Sequence, residues 1–85
     1  MLSEPTTILI TGASSGIGFA LARRLHAMGH RLLLLARPGE RLSQACRALP
    51  GSQAYGCDLA DPLQLDATWA RIAIEHPGLS ILVNN

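Results

Sequence analysis

Lysine is missing from this sequence: all seven of its basic residues are arginines. That excludes a P-loop, which requires Gly-Lys-Ser/Thr where the phosphates sit. Excess charge is missing too. Seven basic against six acidic residues give a formal net charge of +1, so there is no electrostatic case for nucleic acid or an anionic membrane as partner. No apolar run is long. The longest, Leu32 to Ala36, is far too short to span a bilayer, and the opening MLSEPTT lacks the basic and apolar regions of a signal peptide. The two cysteines, Cys46 and Cys57, fall in different predicted elements without metal-type spacing and read as reduced, buried thiols. His26, His30 and His76 share no ligand spacing and are expected on the surface. What remains is a soluble, cytoplasmic globular chain of 85 residues: one small domain, or part of a larger one.

What is present is an alternation. Residues 1 to 5 read as a loose leader ending at Pro5. Thr6 to Thr11 is β-branched and apolar, the pattern of a strand buried on both faces. From Gly16 to Met28, Ile17, Leu21, Leu25 and Met28 recur at helical spacing, with Arg23 and His26 pointing away and Gly29 as the stop. Arg31 to Ala36 holds four leucines in a row; its shortness between Gly29 and Pro38-Gly39 favours a strand. Glu40 to Leu49 reads as a short helix ended by Pro50-Gly51, and Gln53 to Cys57 as a third strand. Asp61, Pro62 and Gln64 have the pattern of a capped helix start. That helix turns Leu65, Trp69, Ile72 and Ala73 inward and stops near Pro77-Gly78. Leu79 to Val83 is a fourth strand. The order β-α-β-α-β-α-β predicts parallel strands with right-handed crossovers: an α/β, Rossmann-type doubly wound sheet, first half only, in strand order 3-2-1-4, with residues 1–85 forming the N-terminal part of one domain.

The stretch between the first strand and first helix, Gly12-Ala13-Ser14-Ser15-Gly16-Ile17-Gly18, carries the chemistry. A helix N-terminus presents unpaired N–H groups and a partial positive charge, and phosphate is stabilised there. Gly12 permits the sharp turn, Gly16 leaves the backbone open to a pyrophosphate, and Gly18 lets the helix pack closely. Ser14 and Ser15 add hydroxyls for phosphate or ribose oxygens.

Thr11 to Gly18 resembles the TGxxxGxG fingerprint of the short-chain dehydrogenases/reductases. Asp58-Leu59 after the third strand resembles that family's adenine-contacting Asp-Leu, and Asn84-Asn85 the start of its Asn-Asn-Ala-Gly motif. The resemblance runs from Thr7 to Asn85. It implies a dinucleotide held by Gly12, Ser14, Ser15, Gly16, Ile17, Gly18, Asp58, Leu59 and Asn84. Asp58 has a plainer reading as a cap of the turn after the third strand, and Asn84 as a tie between strands. The resemblance also implies a parent enzyme that interconverts an alcohol and a carbonyl, often as a dimer or tetramer built through later helices.

Cofactor choice turns on the end of the second strand. Many NAD-binding units carry an acidic residue there, which accepts from the ribose 2′-OH. Here the position is Ala36, followed by Arg37, which suits a 2′-phosphate. NADP(H) is therefore favoured over NAD(H), unless Glu40 folds back toward the ribose. Catalysis in the resembled family relies on a Ser and a Tyr-x-x-x-Lys pair, whose lysine lowers the tyrosine's pKa. Four residues after Tyr55, the only tyrosine, stands Leu59, so no catalytic residue is assigned in this chain. The expectation is a truncated N-terminal portion, inactive alone, with an exposed apolar edge at Ile81-Leu82-Val83. The alternative is a cofactor-sensing module without chemistry.

Overall fold

The structure is a computed structural model that describes residues 5–85; the leader predicted over residues 1 to 5 lies almost wholly outside the described residues. Seven elements alternate along the chain: β1 (Thr7–Thr11), α1 (Gly16–Ala27), β2 (Arg31–Ala36), α2 (Glu40–Ala48), β3 (Gln53–Gly56), α3 (Pro62–Glu75) and β4 (Ile81–Val83). The strands form one parallel sheet in the order β3-β2-β1-β4. Thr7 to Thr11 run alongside Arg31 to Leu35, so the ends of β1 and β2 are level. The ladder continues past them, with Gly12 N–H donating to Leu35 O at 2.9 Å and Cys57 N–H to Ala36 O at 2.9 Å.

The four leucines of β2 explain the two-sided core. Side chains alternate across a strand. Leu32 and Leu34 join Ile8 and Ile10 beneath Ala22 of α1 and Leu42 and Ala45 of α2. Leu33 and Leu35 face the other way and join Leu9, Tyr55, Cys57 and Ile72 of α3. Each fully buried leucine or isoleucine contributes roughly 1.5–3 kcal/mol, which a helix exposed on one side would forgo. β4 has a half-exposed Leu82 at the sheet edge.

α3 begins as its residues require. Asp61 Oδ1 accepts from Leu63 N–H at 3.0 Å, and Pro62 occupies the first turn. Gln64 makes half of the capping box, its N–H donating to Asp61 Oδ1 at 3.5 Å and its Nε2 to Asp61 Oδ2 at 3.1 Å, but its Oε1 accepts from Asp58 N–H at 3.1 Å and so ties the helix start to the loop after β3. Leu65 and Trp69 pack partly buried beside Ile72, but Ala73 is exposed, contrary to its expected inward place.

α1 corrects the sequence reading further. Its buried face is Gly18 and Ala22, with Phe19 and Leu25 packed against the core. Ile17 is 80% exposed and Met28 50% exposed, though both lie on the stripe predicted to face inward. The small residues decide the matter: helix and sheet approach closely only along the line of Gly18 and Ala22, and bulky Ile17 is turned out. His30 is a second correction. It is buried in the turn directly ahead of β2, with Nδ1 accepting from Thr6 N–H at 3.2 Å. His26 and His76 are half-buried, and His26 Nε2 lies 2.8 Å from Pro50 O. Both cysteines are free, Cys57 fully buried and Cys46 partly. Among the described residues no His/Cys/Asp/Glu group could hold a metal ion, and no helix is long and apolar enough to cross a membrane.

Candidate dinucleotide site

Parallel β1, β2 and β3 bring their carboxyl ends, and the loops that follow, to one side of the sheet. Gly12, Ser14 and Ser15 after β1, Ala36 at the end of β2 with Arg37 to Arg41 beyond it, and Asp58 to Ala60 after β3 border a single open cleft of about 640 Å³. That volume lies within the roughly 300–1,000 Å³ usual for small-molecule sites.

The loop after β1 has the shape that its glycines permit. Gly12 and Gly16 have φ of +63° and +60°, the left-handed region that side chains disfavour. Gly18 has ordinary φ but no room: a Cβ there would lie 2.2 Å from Gly12 O. The helix therefore starts directly against the turn. Ser15 is its N-cap, yet the side chain makes no capping bond, and no acidic residue stands in the first turn of α1. α2 has Glu40 in its first turn and α3 is capped by Asp61. The start of α1 is thus electrostatically uncompensated, which is what an anion requires of it.

Arg37 and Arg41 flank the cleft. The two ion pairs among the described residues, Arg47–Glu40 and Arg71–Glu75, leave both guanidiniums without an acidic partner. Glu40 does not fold toward Arg37. Its Oε1 accepts from Arg47 at 3.1 Å and from Gln44 Nε2 at 3.4 Å. Asp58 does cap its turn, Oδ1 accepting from Ala60 N–H at 3.0 Å, while it also borders the cleft. Leu59 belongs to both the cleft and an adjoining apolar cavity of about 220 Å³, lined by Thr11, Leu35, Leu65, Trp69, Leu82 and Asn84 as well. Thr11 Oγ1 donates to Asn84 Oδ1 at 3.1 Å and accepts from Asn85 N–H at 3.0 Å, so the residues after β4 are tied to the end of β1.

Of the ten residues assigned from the sequence, Gly12, Ser14, Ser15, Arg37, Asp58 and Leu59 border the cleft, and Asn84 borders the neighbouring cavity. Gly16, Ile17 and Gly18 shape the loop without lining it. Ile17 points its side chain to solvent and has only its backbone to offer a ligand. Arg41 was not foreseen, and Asn85 was named in a motif but given no role. Arg41 reaches the cleft because only residues 37 to 39 separate β2 from α2, a shortness already visible in Pro38-Gly39. Asn85 Nδ2 donates to Gly12 O at 3.4 Å and would lie 2.7 Å from a Cβ on Gly18.

A family model described as short chain dehydrogenase matches residues 6–85. The chain belongs to the short-chain dehydrogenase family. One relative is the uncharacterized oxidoreductase DltE of Bacillus subtilis, 42% identical over 79 residues that make up 93% of this chain and 31% of that protein. Among solved structures, L-sorbose reductase from Gluconobacter frateurii, complexed with NADPH and L-sorbose, superposes with a TM-score of 0.83 at 36% identity, over 96% of this chain and 33% of the other. A 3-ketoacyl-(acyl-carrier-protein) reductase from Brucella melitensis, complexed with NADH, shares the fold with a TM-score of 0.82 at 24% identity, over 93% and 33% of the two chains. The chain thus spans about a third of the length of these three proteins.

Tyr55 stands outside the cleft. Its hydroxyl donates to Glu75 Oε1 and lies 3.1 Å from His76 Nε2, with the Arg71 guanidinium 5.2 Å from its ring centre. Burial, then the hydrogen bond to Glu75 and that carboxylate's charge, push its pKa up to about 12. The same bond, helped by Arg71, holds Glu75 below the usual carboxylate range. A raised tyrosine pKa means that the folded chain keeps a proton which the unfolded chain gives up. The associated stability is whole below about pH 10 and is lost toward pH 12. The denaturation midpoint is therefore expected to fall between those pH values by the equivalent of up to about 2 kcal/mol in the native protein. Tyr55→Phe should flatten that alkaline slope; an unchanged slope would mean that Tyr55 is not its source.

Proposed function

We propose that this chain is the nucleotide-binding portion of an NADP(H)-dependent oxidoreductase that interconverts an alcohol and a carbonyl. The observation that carries the reading is the pairing of an uncompensated helix N-terminus with an unpaired Arg37 across one cleft, while Glu40, the nearby carboxylate that would favour NAD(H), is held by Arg47. The N–H groups at the start of α1 and the Ser14 and Ser15 hydroxyls hold the pyrophosphate. Arg37 takes the 2′-phosphate, through two N–H donors if it binds side-on. Asp58 and Leu59 stand where the adenine lies, and Asn84 keeps the end of β4 beside β1. Bound there, the nicotinamide cofactor supplies or accepts a hydride. The chain's own part is to bind and orient it.

None of the 85 residues is a lysine, so a Tyr-x-x-x-Lys pair cannot be drawn from them. These residues alone are expected to bind cofactor and turn nothing over. The second reading is a module that binds and senses the cofactor without chemistry. Titrating the full-length gene product with NADPH and NADH, followed by a carbonyl panel with NADPH oxidation as the readout, separates the two. Tighter NADPH binding with turnover supports the enzyme, and binding without turnover supports the module. Binding of neither dinucleotide would sink both.

A further inference from the structure

We infer that Arg47, which does not border the cleft, is a positioning residue for cofactor choice: it draws the Glu40 carboxylate away from the place of the 2′-phosphate. The inference rests on the dinucleotide reading above. Glu40 is the first residue of α2 and borders the cleft between Gly39 and Arg41. Left to itself, its carboxylate would be pulled toward the N-terminus of its own helix by the unpaired N–H groups there, which is toward the cleft. A negative charge in that place repels a 2′-phosphate and offers an acceptor to a 2′-hydroxyl.

α2 counters that pull along its own length. Gln44 and Arg47 stand four and seven residues after Glu40, about one and two turns on, so all three share a stripe. Arg47 lies 3.1 Å and Gln44 Nε2 3.4 Å from the same oxygen, Oε1. The carboxylate is thereby directed down the helix axis rather than over the cleft. Both ends of the ion pair are exposed, with 66% and 73% of the side-chain surface open, so it adds little to folding stability. Its effect is on where a charge points. Arg37 and Arg41, one on each side of Glu40, then border the cleft without an ion-pair partner among the described residues.

The test is the ratio of NADPH to NADH dissociation constants, measured at low ionic strength on the full-length gene product. Arg47→Ala is expected to weaken NADPH about three- to tenfold while leaving NADH unchanged or tighter, the size of effect that one partly screened charge exerts. Adding Glu40→Gln to Arg47→Ala should return the ratio to that of the wild type, and Arg47→Lys, which keeps the cation, should hold most of it. A merely structural role for Arg47 would weaken both cofactors in parallel and would not be rescued by Glu40→Gln; that result, or a wild-type ratio in Arg47→Ala, overturns the inference. A wild-type protein that binds neither dinucleotide, or prefers NADH, instead overturns the reading on which the inference rests.

Discussion

Gly18→Ala is expected to destabilise the fold by about 3 kcal/mol or more and to abolish dinucleotide binding. The added Cβ would sit 2.2 Å from Gly12 O, 2.9 Å from Gly12 C and 2.7 Å from Asn85 Nδ2. The Asn85 amide can swing away, but the Gly12 carbonyl cannot. Gly12 is fixed by its φ of +63° and by the bond from its N–H to Leu35 O, which continues the β1–β2 ladder. Alanine's better helix propensity works in the other direction, but it is worth only about 1 kcal/mol. Steric conflict wins, and relief comes only by pushing α1 off the sheet end, which spoils the phosphate cradle. Gly16→Ala is the control. Nothing lies within 4 Å of its Cβ position, so its cost is confined to the left-handed φ of +60° and amounts to roughly 1–2 kcal/mol. Urea midpoints for the two variants decide between them. A Gly18→Ala protein as stable as the wild type would show that the close approach of α1 to the turn is not required.

The contrast between these two glycines shows what was legible in the sequence and what was not. That Gly12, Gly16 and Gly18 make a strand-to-helix turn follows from where they fall: behind Ile8-Leu9-Ile10 and ahead of a helical pattern. The parallel pairing follows from the alternation of elements and the handedness of crossovers, and the order 3-2-1-4 from the doubly wound pattern; both are present. The inward face of α1 followed at Leu25 and in the close packing of Gly18, but not at Ile17 and Met28. A hydrophobic count weighs Ile17 and Met28 above Gly18 and Ala22, yet close packing against a sheet end selects the smallest side chains. His30 was misplaced for a related reason: burial in the turn ahead of β2 is set by what encloses the residue, not by its polarity. Arg41 was missed because its position at the cleft depends on the length and direction of the loop after β2. The orientation of Glu40 needed the structure, since its partner Arg47 stands two turns away along α2.

The cofactor assignment itself is most exposed to Ala36→Asp combined with Arg37→Ala, which is expected to shift the NADPH-to-NADH affinity ratio by about a hundredfold or more toward NADH. Two effects combine. Loss of Arg37 removes a charge-assisted contact to the 2′-phosphate, worth about 1.5–3 kcal/mol, or roughly ten- to a hundredfold. The new carboxylate repels the same phosphate and accepts a hydrogen bond from the 2′-hydroxyl of NADH, adding at least about another tenfold. Ala36 is nearly buried within the core beside Leu34, so an aspartate there carries a cost. The cost is bearable because Ala36 is the last residue of β2 and borders the cleft, which gives the carboxylate a way out toward the ligand. Its backbone bond to Cys57 is untouched by the change. Arg37→Ala alone separates the two effects: NADPH binding should weaken and lose much of its salt dependence, while NADH binding stays as it was. Should the double variant still bind NADPH more tightly than NADH, the 2′-phosphate is held by something other than Arg37. Arg41, on the far side of Glu40, is then the next guanidinium to remove.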